Sequence, residues 1–170
     1  MPLRRAALAL ALSVALAAPA AAQAPILARS GTWEVLGGPG TASPRLCGLA
    51  AQDGARHLRL LHPSGGEDVT LEIGDTAWSF PPGTALDVTM QFEDHRPWAE
   101  EIAAQTGPHG RPAILLSLHT SNLAALLDEF GRASHLHVRF RHAGTAHRWT
   151  VALRGARAAA AHLQSCLAAP

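Results

Sequence analysis

Apolar and polar residues alternate in short runs along most of this chain, and Gly, Pro, Asp and Ser interrupt the runs. The clearest run sets Leu86, Val88, Met90 and Phe92 against Asp87, Thr89, Gln91 and Glu93, the pattern of a half-buried antiparallel strand. Similar runs predict strands over 32–36, 46–51, 56–62, 68–73, 77–80, 86–92, 113–119, 136–141 and 148–153. Turns fall at 37–40, 63–66, 81–83 and 107–112, where Gly and Pro cluster. Two stretches change period. Leu123, Leu126, Leu127 and Phe130 recur at helical spacing, with Ser121 placed to cap the start and Gly131 to end the helix in the left-handed conformation. Residues 156–167 form a second helix with Ala159, Leu163, Cys166 and Leu167 on one stripe.

The two runs between these helices form a hairpin. Closure through Ala143 to Ala146 pairs Phe140 with Trp149, Val138 with Val151 and Leu136 with Leu153, so that six apolar side chains point one way. The other face then carries His135, His137, Arg139, Arg141, Arg148 and Arg154, with Arg141 directly opposite Arg148. Like charges placed so are destabilising, and such a face either spreads into water or meets an anion. The fold class that follows is mainly β (α+β): an antiparallel β-sandwich-like domain with two short helices, the last one C-terminal.

Residues 1–22 read as a cleavable export signal. Arg4 and Arg5 precede an apolar run too short to span a bilayer, and Ala20-Ala21-Ala22 supplies the small-x-small cleavage pattern. Residues 23–170 are then one β-rich domain of 148 residues in the periplasm or outside the cell. No later stretch has the length of a membrane helix. Every Lys/Arg position is Arg, and Tyr is absent, a codon signature of a GC-rich genome rather than a functional one. Without Arg4 and Arg5, 12 arginines face 13 acids, which excludes a globally basic nucleic-acid binder, while 48% apolar residues exclude a disordered chain. Cys47 and Cys166 are the only cysteines, and an oxidising compartment pairs them.

Ten histidines raise metal binding. His142 and His147 sit opposite each other at the hairpin end, with His135 and His137 as further donors, but no third ligand converges with the first two and arginines surround the second two. Hydrolytic patterns are missing: there is no nucleophile elbow, Ser117, His119 and Ser121 do not make a triad by spacing, and none of the acidic neighbours Glu67-Asp68, Glu93-Asp94, Glu100-Glu101 and Asp128-Glu129 is a carboxylate dyad by spacing. No catalytic residue and no cofactor follow from the sequence. The densest polar stretch, 93–101, carries Trp98 among charges and offers a second interaction surface.

Trp33-x-Val35, Cys47-x-Leu49 and Trp149-x-Val151-x-Leu153-x-Gly155, followed by Ala159, Leu163 and Cys166, resemble a group of small secreted proteobacterial proteins, the invasion-associated locus B type and its uncharacterised periplasmic relatives. The resemblance implies a β-sandwich-like domain, a disulfide and a periplasmic location, and no catalytic residue. Gly155-Ala156 stands where that group has Gly-Ser, which removes a hydroxyl cap from the last helix, and Arg157 opposes its dipole. The expected function is a non-enzymatic interaction module whose partner is a protein or an anionic envelope component, bound through His135, His137, Arg139, Arg141, Arg148 and Trp98. The alternative is a periplasmic metal binder using His142 and His147.

Overall fold

The alternation seen in the sequence becomes two antiparallel sheets in the computed structural model, which describes residues 25–38, 46–63, 65–107, 110 and 112–168. The expected export signal, His109 and parts of the predicted turns lie outside these residues. The first five strands are β1 (Ile26–Ser30), β2 (Trp33–Gly38), β3 (Leu46–Asp53), β4 (Arg56–Pro63) and β5 (Asp68–Asp75). They form a meander, and β9 (Pro112–His119) and the two-residue β8 (Gln105–Thr106) complete the seven-stranded order β1-β2-β3-β4-β5-β9-β8. The second sheet, ordered β11-β10-β6-β7, consists of β6 (Ala85–Phe92), β7 (Trp98–Ala103), β10 (His135–His142) and β11 (Thr145–Ala152).

Between the sheets, Leu58, Leu60, Val69, Leu71, Ile73, Ile114 and Leu116 are buried from one side and Leu86, Val88, Met90, Phe92, Leu136, Val138 and Phe140 from the other. Each such side chain contributes about 1.5–3 kcal/mol relative to exposure. The smaller sheet is narrower than the larger, and two helices fill the space over β1–β3. In α1 (Leu123–Arg132) the buried residues are Leu123, Leu126, Leu127 and Phe130; in α2 (Ala156–Ala168) they are Ala156, Ala159, Ala160, Leu163 and Cys166. Phe130 ties the parts together, its ring 4.6 Å from that of Trp33 on β2 and 6.3 Å from that of Phe92 on β6. Cys166 bonds Cys47 on β3, with Cα atoms 5.9 Å apart, so the disulfide fastens the last helix to the larger sheet.

Backbone meets backbone where the β1–β2 turn touches the β11–α2 turn. Gly31 and Gly155 both have positive φ (61° and 84°), and a Cβ on Gly155 would lie 2.4 Å from the carbonyl oxygen of Ser30. Ser30 Oγ donates to the Gly155 carbonyl at 3.0 Å, adding a hydrogen bond to this junction. Arg157, one residue into α2, sends its Nε to the carbonyl of Gly131 at 3.1 Å. Its charge therefore sits at the C-terminal end of α1, where a cation is favourable, rather than simply opposing the dipole of α2.

Several expectations need correction. Residues 77–80 are a loop, because the Asp75 side chain accepts from the N–H of Ala77 and turns the chain out of β5; the apolar alternation there reflects Phe80 burying itself without a strand. Ser121 does not cap α1. A 3₁₀ turn, Thr120–Asn122, precedes the helix, and His119 Nδ1 engages both the hydroxyl and the N–H of Ser121. Gly131 lies within α1, facing Arg157, and the helix ends at Ala133 in an extended conformation. The hairpin closes through two residues, Ala143 and Gly144, both at positive φ (48° and 79°), instead of four. Its register is thereby two residues off the expected one: Val138 pairs with Trp149, Leu136 with Val151 and Phe140 with His147. The strands β1, β7 and β8 fall outside the predicted strand runs.

Candidate functional site

A two-residue slip leaves every side chain on its expected face, because side chains alternate with period two. His135, His137, Arg139 and Arg141 of β10 and Arg148 of β11 therefore do share the outer face of the smaller sheet. The slip changes their pairing. Arg148 stands opposite Arg139, and Arg141 faces Ala146. Arg139 donates to Gln91 Oε1 on β6, and His137 Nδ1 contacts Thr150 Oγ1 at 3.1 Å. His135 stacks on His137 with ring centroids 6.3 Å apart and lies 3.6 Å from Glu93. The Ser134 N–H, bonded to Glu93 at 2.9 Å, holds that carboxyl below its usual range, with His135 adding to the effect. Among the described residues, Arg139, Arg141 and Arg148 enter no ion pair. On the same face the far half of the sheet is acidic, with Asp87 opposite Glu101. Charge is thus divided across four strands, basic on β10–β11 and acidic on β6–β7.

The expected His142–His147 pair does not form. In the tighter hairpin His142 faces Thr145, with its ring 5.5 Å from Phe80, while His147 faces Phe140 and stacks on it at 4.6 Å, nearly parallel. Both imidazoles are committed to aromatic packing. No group of three His, Cys, Asp or Glu side chains converges as a metal site among the described residues.

Trp98 sits on the opposite face of the sheet from the arginines. It pairs with buried Met90, is half-buried, and donates from Nε1 to Glu129 Oε2 of α1 at 2.8 Å. It walls a hollow of about 400 Å³ bounded by Val88 and Met90 of β6, Leu116 and Leu118 of β9, and the side chains of Arg96, Glu100 and Glu129. Sequence reasoning found Trp98 but not the hollow, since Leu116, Leu118 and Glu129 come from elements far away in the chain.

The larger sheet carries two buried acids. Glu72, 2% exposed, receives His57 Nε2 at 2.9 Å and has Arg59 at 3.8 Å. The His57 ring lies over Gly74, where a Cβ would come within 2.2 Å of it. Asp75 pairs with Arg56 at 2.9 Å; burial raises its pKa, but the Ala77 N–H and then Arg56 outweigh that and bring it below the usual value. A strand-centred Glu flanked by Leu71 and Ile73 is the only sequence signal for the first pair. The nearest approach to a nucleophile and base, Ser121 Oγ and His119 Nδ1 at 2.9 Å, is exposed and belongs to the 3₁₀ turn; Asp68, the cross-strand partner of His119, makes no ion pair with it.

No family model matches the chain, and neither does a curated protein sequence. Its fold has a counterpart among solved structures. The crystal structure of invasion-associated protein B from Bartonella henselae superposes with a TM-score of 0.56 at 13% sequence identity, covering 81% of this chain and 95% of that one. The chain is therefore similar in fold to the invasion-associated locus B type, as the scattered Trp, Gly and Cys positions imply.

Proposed function

We propose that this is an exported, non-enzymatic binding module that holds an anionic protein or envelope component on the outer face of its smaller sheet. The observation that carries the reading is the cross-strand pair Arg139–Arg148 with Arg141 beside it, all three exposed and none in an ion pair among the described residues. Adjacent guanidinium groups without carboxylates raise the local potential, and planar forks suit bidentate recognition of carboxylate or phosphate oxygens. Export is supported by the leader-like residues 1–22 and by a disulfide of the kind that persists in oxidising compartments. No helix among the described residues is long and apolar enough to cross a membrane. The fold of a Bartonella protein whose name associates it with invasion is compatible with a role at the cell envelope.

The test is crosslinking in the native envelope with the wild-type chain and with Arg139→Gln/Arg141→Gln/Arg148→Gln. Loss of the captured partners in the triple variant, and weakening of wild-type capture as salt is raised, are the expected results. An unchanged set of partners rejects the assignment of this face.

A further inference from the structure

The strand that follows Pro97 crosses from one sheet to the other. Its first part, β7, pairs with β6 as far as Ala103–Ala85; Ala104 is buried at the bend, bonded through its N–H to Thr84 O; and β8 pairs with β9 at Gln105–Ala113 and Thr106–Pro112. The two sheets are therefore joined at this corner. Away from it each strand stays in its own sheet, and the gap between them holds the hollow beside Trp98. Among the described residues β7 is the terminal strand of its sheet, and β8 is too short to cover β9 beyond Ala113, so two strand edges without a further described strand flank one cavity. The cavity has a volume of about 400 Å³.

We propose that this gap is an acceptor for an extended peptide of a partner protein, added antiparallel to β7, with a basic residue opposite Glu100 and an apolar residue two positions later opposite Trp98. Alternate backbone groups of an edge strand point away from its sheet and can hydrogen-bond an added strand, while every second side chain of that strand enters the groove. The groove sets which side chains fit. Val88, Met90, Leu116 and Leu118 give an apolar floor next to Trp98, and Glu100 and Glu129 outnumber the single cation of the lining, Arg96. Glu100 shares the face of its cross-strand partner, buried Val88, so it is an inward-pointing charge on an edge strand, a device that discourages indiscriminate pairing. A cation at the facing position turns that barrier into selectivity. A second copy of this chain is a poorer occupant, because pairing β7 with β7 brings the Glu100-Glu101 segments of both copies together.

The experiment uses the mature chain and a labelled synthetic peptide, Ser-Thr-Lys-Val-Leu-Thr-Ser, with three comparisons: the same peptide with Glu for Lys, the same peptide N-methylated at the backbone nitrogens that would face β7, and the variant Glu100→Lys. Glu100 is exposed, so this variant keeps the fold. Fluorescence anisotropy is expected to show the Lys peptide binding at least tenfold more tightly than the Glu peptide, the order reversing in Glu100→Lys, and N-methylation abolishing binding. Absence of binding at millimolar peptide, an order unchanged by Glu100→Lys, or equal binding of the N-methylated peptide overturns the proposal. A dimer in sedimentation that the peptide fails to dissociate and that Glu100→Lys strengthens assigns the groove to a second copy and overturns it as well.

Discussion

Replacing Cys47 and Cys166 by Ala tests how the last helix is held. The bond joins residues 119 positions apart, and closing a loop of that length in the unfolded chain removes entropy worth about 5 kcal/mol at room temperature. A domain of this size has about 5–15 kcal/mol of net stability, so the double variant loses between about a third and nearly all of it. The effect falls mainly on the unfolded state. Ala156, Ala159, Ala160 and Leu163 still pack α2 against β1–β3, and the native structure should survive with α2 docked. Urea unfolding followed by circular dichroism should therefore show a lower midpoint together with a steeper denaturant dependence, because the uncrosslinked unfolded chain exposes more surface. A loss below about 1 kcal/mol with an unchanged slope refutes the loop-closure account. Loss of α2 helicity in the folded baseline would refute the claim that packing alone docks the helix.

The other predictions concern single contacts. Gly155→Ala puts a methyl group 2.4 Å from the Ser30 carbonyl oxygen on a residue at φ 84°, and both turns are backbone, so a loss of about 2–5 kcal/mol is expected in the same urea titration. Gly74→Ala displaces the His57 ring from Glu72; it should cost about 1–3 kcal/mol, and replacing His57 by Gln in the Gly74→Ala background should add little if the lost His57–Glu72 bond is the cause. Asp75 is a carboxylate whose pKa is lowered on folding from 3.8, so its contribution is present above the unfolded value and is lost as pH falls through the lower folded one. Asp75→Asn should accordingly flatten the decline of the urea midpoint below about pH 4, and an unchanged acid slope would refute its role.

Where side chains alternate cleanly, the chain's architecture could be read directly. The runs through β6, β10 and β11 have a buried row and an outward row, and the stripe Leu123–Leu126–Leu127–Phe130 identifies α1. β7 escapes such a reading because it is an edge strand: only Trp98 and Ile102 are half-buried, and Glu100 breaks the alternation by facing the groove. Residues 77–80 mislead in the opposite sense. Trp78 packs 5.0 Å from Phe140 and Phe80 is buried, but these contacts come from a loop turned by the Asp75 side chain, whose effect on the backbone no periodicity records.

The hairpin shows which part of a site a sequence can specify. Facing depends only on whether positions are odd or even, and an error of two in register leaves His135, His137, Arg139, Arg141 and Arg148 together on one surface. Pairing depends on the turn, and Ala143-Gly144 lacks the Asn-Gly signal of a two-residue turn because Ala occupies a positive-φ position that it rarely takes. The metal reading loses its directly facing pair with the turn, since His142 now stands opposite Thr145 and His147 opposite Phe140, on which it stacks. The shared face of the arginines needs no exact partner and does not change with it. Moving Arg148 from Arg141 to Arg139 keeps two cations side by side, and the acidic Asp87–Glu101 pair at the far edge of the same sheet sharpens the division of charge. An anionic ligand on this face should therefore centre on β10 and β11, and Asp87→Asn/Glu101→Gln should widen its footprint toward β6 without abolishing binding; complete loss of binding in that variant would show that the ligand instead bridges both halves of the face.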